Sequence, residues 1–255
     1  MQSNIYWLYP LIIFIMMSVL FLLAQKKKNN SIVDIFWGIG FCLLAFNSFL
    51  WNEDYDMRKT ITLILVFIWG IRLSVHIYNR NKNLPEDFRY QEWRKKWGKQ
   101  QAINAYFRVF LLQGFFMFII ALPILHISNF SQSPINLIDI VGIIVWLIGF
   151  CFEAIADHQK KQFKRNPENK EKIMQSGLWS ISRHPNYFGE ILIWWGLWLI
   201  SLSCARWYFS ILSPLVITWL IIYVSGIPLL EAKYKNNKAF EEYKKIVPKI
   251  IPKIF

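Results

Sequence analysis

An all-α, polytopic transmembrane helix bundle of about seven spans, with short cytosolic helices, is the fold class this sequence predicts. Two observations carry that expectation. Long apolar runs recur along the chain, and the connections between them alternate between strongly basic and non-basic. Of 255 residues, 55% fall in the hydrophobic set, with 13 Trp and 21 Phe, too apolar for an ordinary soluble domain. Trp7–Ala24, Ile61–Ile71, Ile140–Phe152 and Ile191–Ala205 carry no charge, and Ala105–Ile127 is interrupted by Arg108 alone.

Apolar stretches near 20 residues cross a bilayer core as helix, which puts the spans at about 5–24, 32–50, 60–78, 105–125, 135–156, 187–204 and 207–227. No basic stretch precedes the first, and Lys26-Lys27-Lys28 follow it, so it reads as a retained anchor rather than a cleaved signal. Only Ser201–Arg206 separates the last two, and Pro214 and Pro228 disturb the seventh. Cys42, Cys151 and Cys204 all lie in apolar segments and read as small hydrophobes.

The net charge of +13 maps onto connections. Asn79–Gln101, Ala156–Arg183 and Glu231–Phe255 each hold seven basic and three acidic residues. The connection around Glu53, Asp54 and Asp56 and the turn around His126–Gln132 hold no such excess. This alternation places the N-terminus outside and the C-terminus in the cytosol. The charge is therefore a matter of topology, with anionic lipids expected at the cytosolic face and no nucleic acid partner. Residues 1–255 read as one integral membrane domain, with an interfacial helix in Asn79–Gln101 and a short helix bearing Phe240 and Tyr243 before Pro248 and Pro252.

Polar residues enter these spans in three places. Arg72, His76 and Arg80 recur every four residues on one face of the third span, where Arg72 either snorkels to the headgroups or offers phosphate a bidentate fork. Glu153 and Asp157 end the fifth span, followed by Lys160, Lys161 and Lys164. A carboxylate as deep as Glu153 calls for a partner inside the bundle. The third place is Gly177-Leu178-Trp179-Ser180-Ile181-Ser182-Arg183-His184-Pro185-Asn186-Tyr187-Phe188-Gly189-Glu190. Gly177 suits a tight turn, and Pro185 suits the first helical position, making His184 the N-cap. Tyr187, Glu190 or Ile191, and Trp194 then line one stripe of the helix, and Arg183 stands beside its open N–H groups. Taken singly, a cap, an aromatic belt and inside-positive bias account for these residues. Together with Glu190 they read as a site. Four histidines without a close pair, and no HExxH, paired CxxC, Walker loop or glycine-rich dinucleotide fingerprint, leave no metal site and no Rossmann half.

The run Glu153-Ala154-Ile155-Ala156-Asp157-His158-Gln159-Lys160, the Gly177–Glu190 segment, Glu86-Asp87-Phe88-Arg89-Tyr90 and Gly226-Ile227-Pro228-Leu229-Leu230-Glu231 closely resemble the membrane proteins grouped with the C-terminal domain of steroid 5-alpha-reductases, over roughly 30–255. The same superfamily holds sterol C14-reductases and isoprenylcysteine carboxyl methyltransferases. The resemblance implies a membrane oxidoreductase that uses NADPH to reduce an activated C=C bond of a lipid-soluble, isoprenoid- or sterol-like substrate. It implies cofactor contacts from Asp157, Lys161, Arg183, His184, Asn186 and Tyr187, with Arg89 and Arg94 as phosphate or closing residues, and Arg72 joins the cofactor candidates from its place on the third span. Tyr187, Glu190 and Glu153 are the candidates for proton donation. Asn83-Leu84-Pro85 departs from the basic pair expected before Glu86, and the N-terminal glutamate and tyrosine that hold the carbonyl in 5-alpha-reductases have no counterpart in the sequence pattern. The alternatives are an S-adenosylmethionine-dependent methyltransferase of the isoprenylcysteine type and a non-enzymatic lipid-binding protein. The expected location is a bacterial inner membrane or the endoplasmic reticulum.

Overall fold

A computed structural model describes residues 7–51, 56–131, 133–169, 172–205 and 207–253. The protein is a polytopic helical membrane bundle with no strand among the described residues. Among the described residues, six helical runs are long and apolar enough to cross a membrane: Leu8–Lys27, Ile32–Leu50, Met57–Asn81, Phe88–Ile120, Leu137–Arg165 and Tyr208–Ala232. The remaining expected span, 187–204, forms the helix Pro185–Ser201, whose 17 residues lie at the short end of what can cross a bilayer core. The fourth and seventh spans are not uniform helices. Tyr106–Leu111 and Leu220–Val224 are π turns, and the fourth run breaks at Ala121 because Pro123 cannot continue its hydrogen bonding.

Contacts divide the chain into two compact units, Met1–Ile135 with Cys204–Ser210, and Asn136–Ser203 with Ile211–Phe255. In the first unit, α1 (Leu8–Lys27) ends on Lys28 in the left-handed conformation, α2 spans Ile32–Leu50, and α3 (Met57–Asn81) starts where the Asp56 carboxylate accepts from the Lys59 amide at 2.8 Å. Helices α2 and α3 touch through glycine, since a Cβ on Gly38 would lie 2.2 Å from the Gly70 carbonyl oxygen. Arg58, only 1% exposed, gathers the segment after α7 (Leu122–Phe130) by donating to Ser131 Oγ at 2.7 Å and to the carbonyls of Ser133 and Pro134 at 3.0 and 2.9 Å. The helices α4 (Phe88–Trp97), α5 (Gln101–Ala105) and α6 (Leu112–Ile120) complete the unit.

The second unit is built on a helical hairpin. Helix α8 (Leu137–Arg165) begins with a capping box: Asn136 Oδ1 accepts from the amides of Ile138 and Asp139, and Asp139 accepts from the Asn136 amide at 2.8 Å. Helix α9 (Pro185–Ser201) packs antiparallel to it. Helices α10 (Leu212–Trp219), α11 (Ile227–Ala232) and α12 (Lys238–Ile246) follow, the last capped by Asn237, which accepts from the Phe240 amide at 3.1 Å.

Candidate functional site

The site grows out of the crossing of α8 and α9. Gly142 faces Gly196 and Gly149 faces Gly189, two contacts separated by seven residues, or about two turns, on each helix. A Cβ on Gly189 would lie 2.4 Å from the Gly149 carbonyl oxygen, and one on Gly142 would lie 2.8 Å from that of Gly196. Only hydrogen at these positions lets the two backbones meet. One turn beyond Gly149 the same stripe of α8 turns acidic. Glu153 is 3% exposed and Asp157 is 8% exposed, so both carboxylates face into the protein rather than outward.

Opposite them stands the start of α9. Gly177 adopts φ +61°, and a Cβ there would also run into the Gln159 side chain. Gln159 Oε1 instead accepts from the Leu178 amide at 3.0 Å. Trp179 Nε1 donates to the Ala156 carbonyl at 3.1 Å, and the Lys160 ammonium lies 4.1 Å from the Trp179 ring centroid. Pro185 takes the first helical position with His184 as the N-cap, as the local sequence predicts. Asn186 Nδ2 donates to Asp157 Oδ1 at 3.3 Å, tying the first turn of α9 to the acidic stripe of α8.

The C-terminal tail closes this end of the unit. Glu231 Oε1 accepts from Arg183 Nε at 3.1 Å and from His184 Nε2 at 2.9 Å. Arg183 Nη1 donates to the carbonyls of Val247 and Lys244 at 3.1 and 3.3 Å, and the Arg183 amide donates to the Pro248 carbonyl at 3.0 Å. Ser182 Oγ donates to the Ile250 carbonyl at 2.8 Å, and the Lys253 amide to the Ile181 carbonyl at 2.9 Å. The Tyr243 hydroxyl donates to the Trp179 carbonyl. Phe240, Tyr243 and Val247 pack with Ile173 and Tyr234 behind this seam.

Burial pushes the His184 imidazole below its usual pKa, against the opposing pull of Glu231. An unfolded histidine titrates near 6.5, so between the lower folded value and 6.5 the unfolded chain binds more protons. The second unit is expected to lose stability as pH falls through that window. Thermal unfolding in detergent at about pH 7.5 and about pH 5.5 checks it, with His184→Gln reducing the difference.

Most of the residues singled out from sequence gather in this unit. Tyr187, half-buried, lies nearly parallel to the His184 ring, with 5.8 Å between centroids and 17° between planes. Glu190 is half-buried one turn along α9. Lys161 is exposed, and its neighbour Lys160 is the cation that turns toward the loop. Arg72, Arg89 and Arg94 belong to the first unit. There Arg72 is half-buried on α3, Arg89 binds Asp34 and Asp87, each at 2.9 Å, and Arg94 makes a two-point pair with Glu86 at 2.9 and 3.1 Å. The same unit holds a half-buried acid–phenol pair that no sequence spacing announced: the Tyr90 hydroxyl donates to Asp34 Oδ1 at 2.6 Å. Glu231 was equally hidden as a partner of Arg183 and His184, being 48 and 47 residues away from them.

The family model described as "Protein of unknown function (DUF1295)" matches residues 20–247. The chain belongs to this family. This DUF1295 member is 32% identical to the Delta(14)-sterol reductase of Saccharomyces cerevisiae over 49% of its own length and 31% of that protein's. It is 30% identical to the 3-oxo-5-alpha-steroid 4-dehydrogenase 1 of Bos taurus over 44% of its length and 41% of the relative's. A 46-residue stretch is 44% identical to a probable O-methyltransferase of Ustilaginoidea virens, covering 18% and 16% of the two chains. The chain thus spans less than half the length of each of these three relatives. No solved structure matches it.

A nicotinamide dinucleotide asks a site for partners to its sugar hydroxyls and carboxamide, and for positive charge or N–H groups near its phosphates. The DUF1295 chain's second unit offers both. Asp157 and Asn186 supply acceptor and amide, His184 Nδ1 is a buried acceptor with no hydrogen-bond partner among the described residues, and the start of α9 lies beside Arg183. The residues present fit such a group.

Proposed function

We propose that this chain is a membrane-bound, NADPH-dependent reductase of an activated C=C bond, an enone, in a lipid-soluble isoprenoid- or sterol-like substrate. The observation that carries this is the polar cluster of Asp157–Asn186 with Arg183–His184–Glu231 around the start of α9, in a membrane-embedded unit. The sterol and steroid enzymes among its relatives, whose names specify redox chemistry, support the same reaction class. With the C-terminus in the cytosol, this cluster would lie on the side of soluble cofactor, the substrate would enter from the bilayer, and anionic lipids would meet the basic connections.

When bound, NADPH supplies hydride to the β carbon of the enone. The protein's own residues must then hold the cofactor, exclude water and stabilise the charge that develops on the carbonyl oxygen. Asp157 and Asn186 orient the cofactor, and Arg183 adds positive charge. Tyr187, beside His184, is the first candidate for the oxygen's donor, with Glu153 and Glu190 next.

A second reading has its own support. Glu153, Asp157, Glu190 and Glu231 outnumber the single arginine of this unit's site, and Arg183 Nε and Nη1 are already engaged, which suits a sulfonium cofactor such as S-adenosylmethionine. The methyltransferase stretch points the same way. Direct binding of NADPH, NADH and S-adenosylmethionine to the detergent-purified chain separates the two. Binding of S-adenosylmethionine with no dinucleotide binding overturns the reductase. On an enone that is turned over, Tyr187→Phe is expected to lower kcat about 100-fold with little change in NADPH affinity. Unchanged turnover would remove Tyr187 as donor and direct the same test to Glu153→Gln and Glu190→Gln.

A further inference from the structure

Glu231 lies at the head of the tail, outside the segment that the sequence marks as the site, yet its carboxylate reaches the two residues at the centre of that segment. We propose that Glu231 is a positioning residue: it holds His184 with the proton on Nε2, so that the bare Nδ1 accepts a hydrogen bond from a hydroxyl or amide N–H of the bound nucleotide cofactor. This rests on the NADPH reading above.

The geometry fixes the tautomer. Arginine stays protonated, and Arg183 Nε donates to Glu231 Oε1 at 3.1 Å, which keeps that carboxylate an acceptor. His184 Nε2 lies 2.9 Å from the same oxygen and must therefore carry its hydrogen. Nδ1 is left with a lone pair. It is fully buried on a residue only 5% exposed, and no described residue donates to it. Buried acceptors are almost always satisfied, so an orphan at this place calls for a donor that the described residues do not supply. The ring is not free to turn and find one. Tyr187 lies along its face, the His184 amide donates to Ser182 Oγ at 3.2 Å, and rotation would break the bond to Glu231. The Asp157–Asn186 pair joins α8 to the first turn of α9, where His184 is the N-cap, so a ribose or carboxamide held there has a donor to offer Nδ1.

The test uses the full chain in detergent with ¹⁵N-labelled histidine, the His184 signals being assigned by their loss in His184→Gln. The expected spectrum has the proton on Nε2, and saturating NADPH moves the Nδ1 resonance. Glu231→Ala is expected to mix the tautomers and weaken NADPH binding about tenfold, while Glu231→Gln, whose amide oxygen still accepts, keeps the tautomer and most of the affinity. Should Glu231→Ala fail to fold, the wild-type and Glu231→Gln spectra decide. NADPH that binds without moving Nδ1, as when a trapped water is its only partner, overturns the role of Glu231 and leaves the reductase reading intact. Failure to bind NADPH while S-adenosylmethionine moves Nδ1 does the reverse. Binding of neither overturns both.

Discussion

Gly189→Val is expected to destabilise the second unit as a whole rather than weaken a single contact. A Cβ at this position would lie 2.4 Å from the Gly149 carbonyl oxygen, 2.5 Å from the Glu153 amide nitrogen and 2.9 Å from Glu153 Cβ. Two of these are backbone atoms, which cannot rotate away as a side chain can. The helices must separate, and separation acts along the whole crossing because Gly142 and Gly196 meet two turns away. Overpacking of this kind costs about 3 kcal/mol when the obstruction cannot relax. It also pulls Glu153 away from the place where α9 now covers it, and a carboxylate loosened within a bundle needs a new partner. Thermal unfolding in detergent should show a melting temperature lower by several degrees and loss of NADPH binding. Ile148→Val, a change on an exposed position of α8, should leave both nearly unaltered. A Gly189→Val protein that melts like the wild type would show that α8 and α9 do not meet at these glycines.

That crossing also marks where the sequence stops being readable. Spans, caps and turns obey short-range rules, so the apolar runs, Pro185 at the first position of α9, His184 as its cap and the positive φ of Gly177 could all be anticipated from a few neighbouring residues. The inward face of Glu153 could be argued from the cost of leaving a carboxylate to lipid. The pairing of Gly149 with Gly189 could not, because helix register is decided by the fit of two surfaces and leaves no periodic trace. Lys161 illustrates a subtler limit. It follows Asp157 by one turn, yet Asp157 is buried and Lys161 exposed. The neighbouring Lys160 meets the loop instead, through the Trp179 ring, which was beyond reach before the loop's path was known. Glu231, Tyr243 and the carbonyls of residues 244–250 reach the site only through the fold of the tail, and Asp34 reaches Tyr90 across 56 residues.

The second large effect is expected for Arg183. Its guanidinium holds three acceptors at once, Glu231 through Nε and the carbonyls of Lys244 and Val247 through Nη1. Arg183→Ala leaves Glu231 facing His184 without its permanent cation and strips two tail carbonyls of their donor. The Glu231 side chain is 20% exposed, so water recovers part of the loss, and about 2 kcal/mol is a reasonable scale. Lysine should not rescue it fully, because one ammonium on a flexible stem cannot reproduce a fork fixed against three acceptors. Amide hydrogen exchange of the tail should therefore rise in the order wild type, Arg183→Lys, Arg183→Ala, with NADPH affinity falling in the same order. The Lys253 amide, which donates to Ile181, and the Arg183 amide, which donates to Pro248, report the docking itself. Unchanged exchange in Arg183→Ala would mean that these backbone bonds, with Ser182 and Tyr243, hold the tail unaided. Faster exchange with unchanged NADPH affinity would separate the clasp from the cofactor. Loss of both together would make Arg183 the joint through which the tail shapes the start of α9, since a single side chain then links the carbonyls of the tail to the residue before the N-cap.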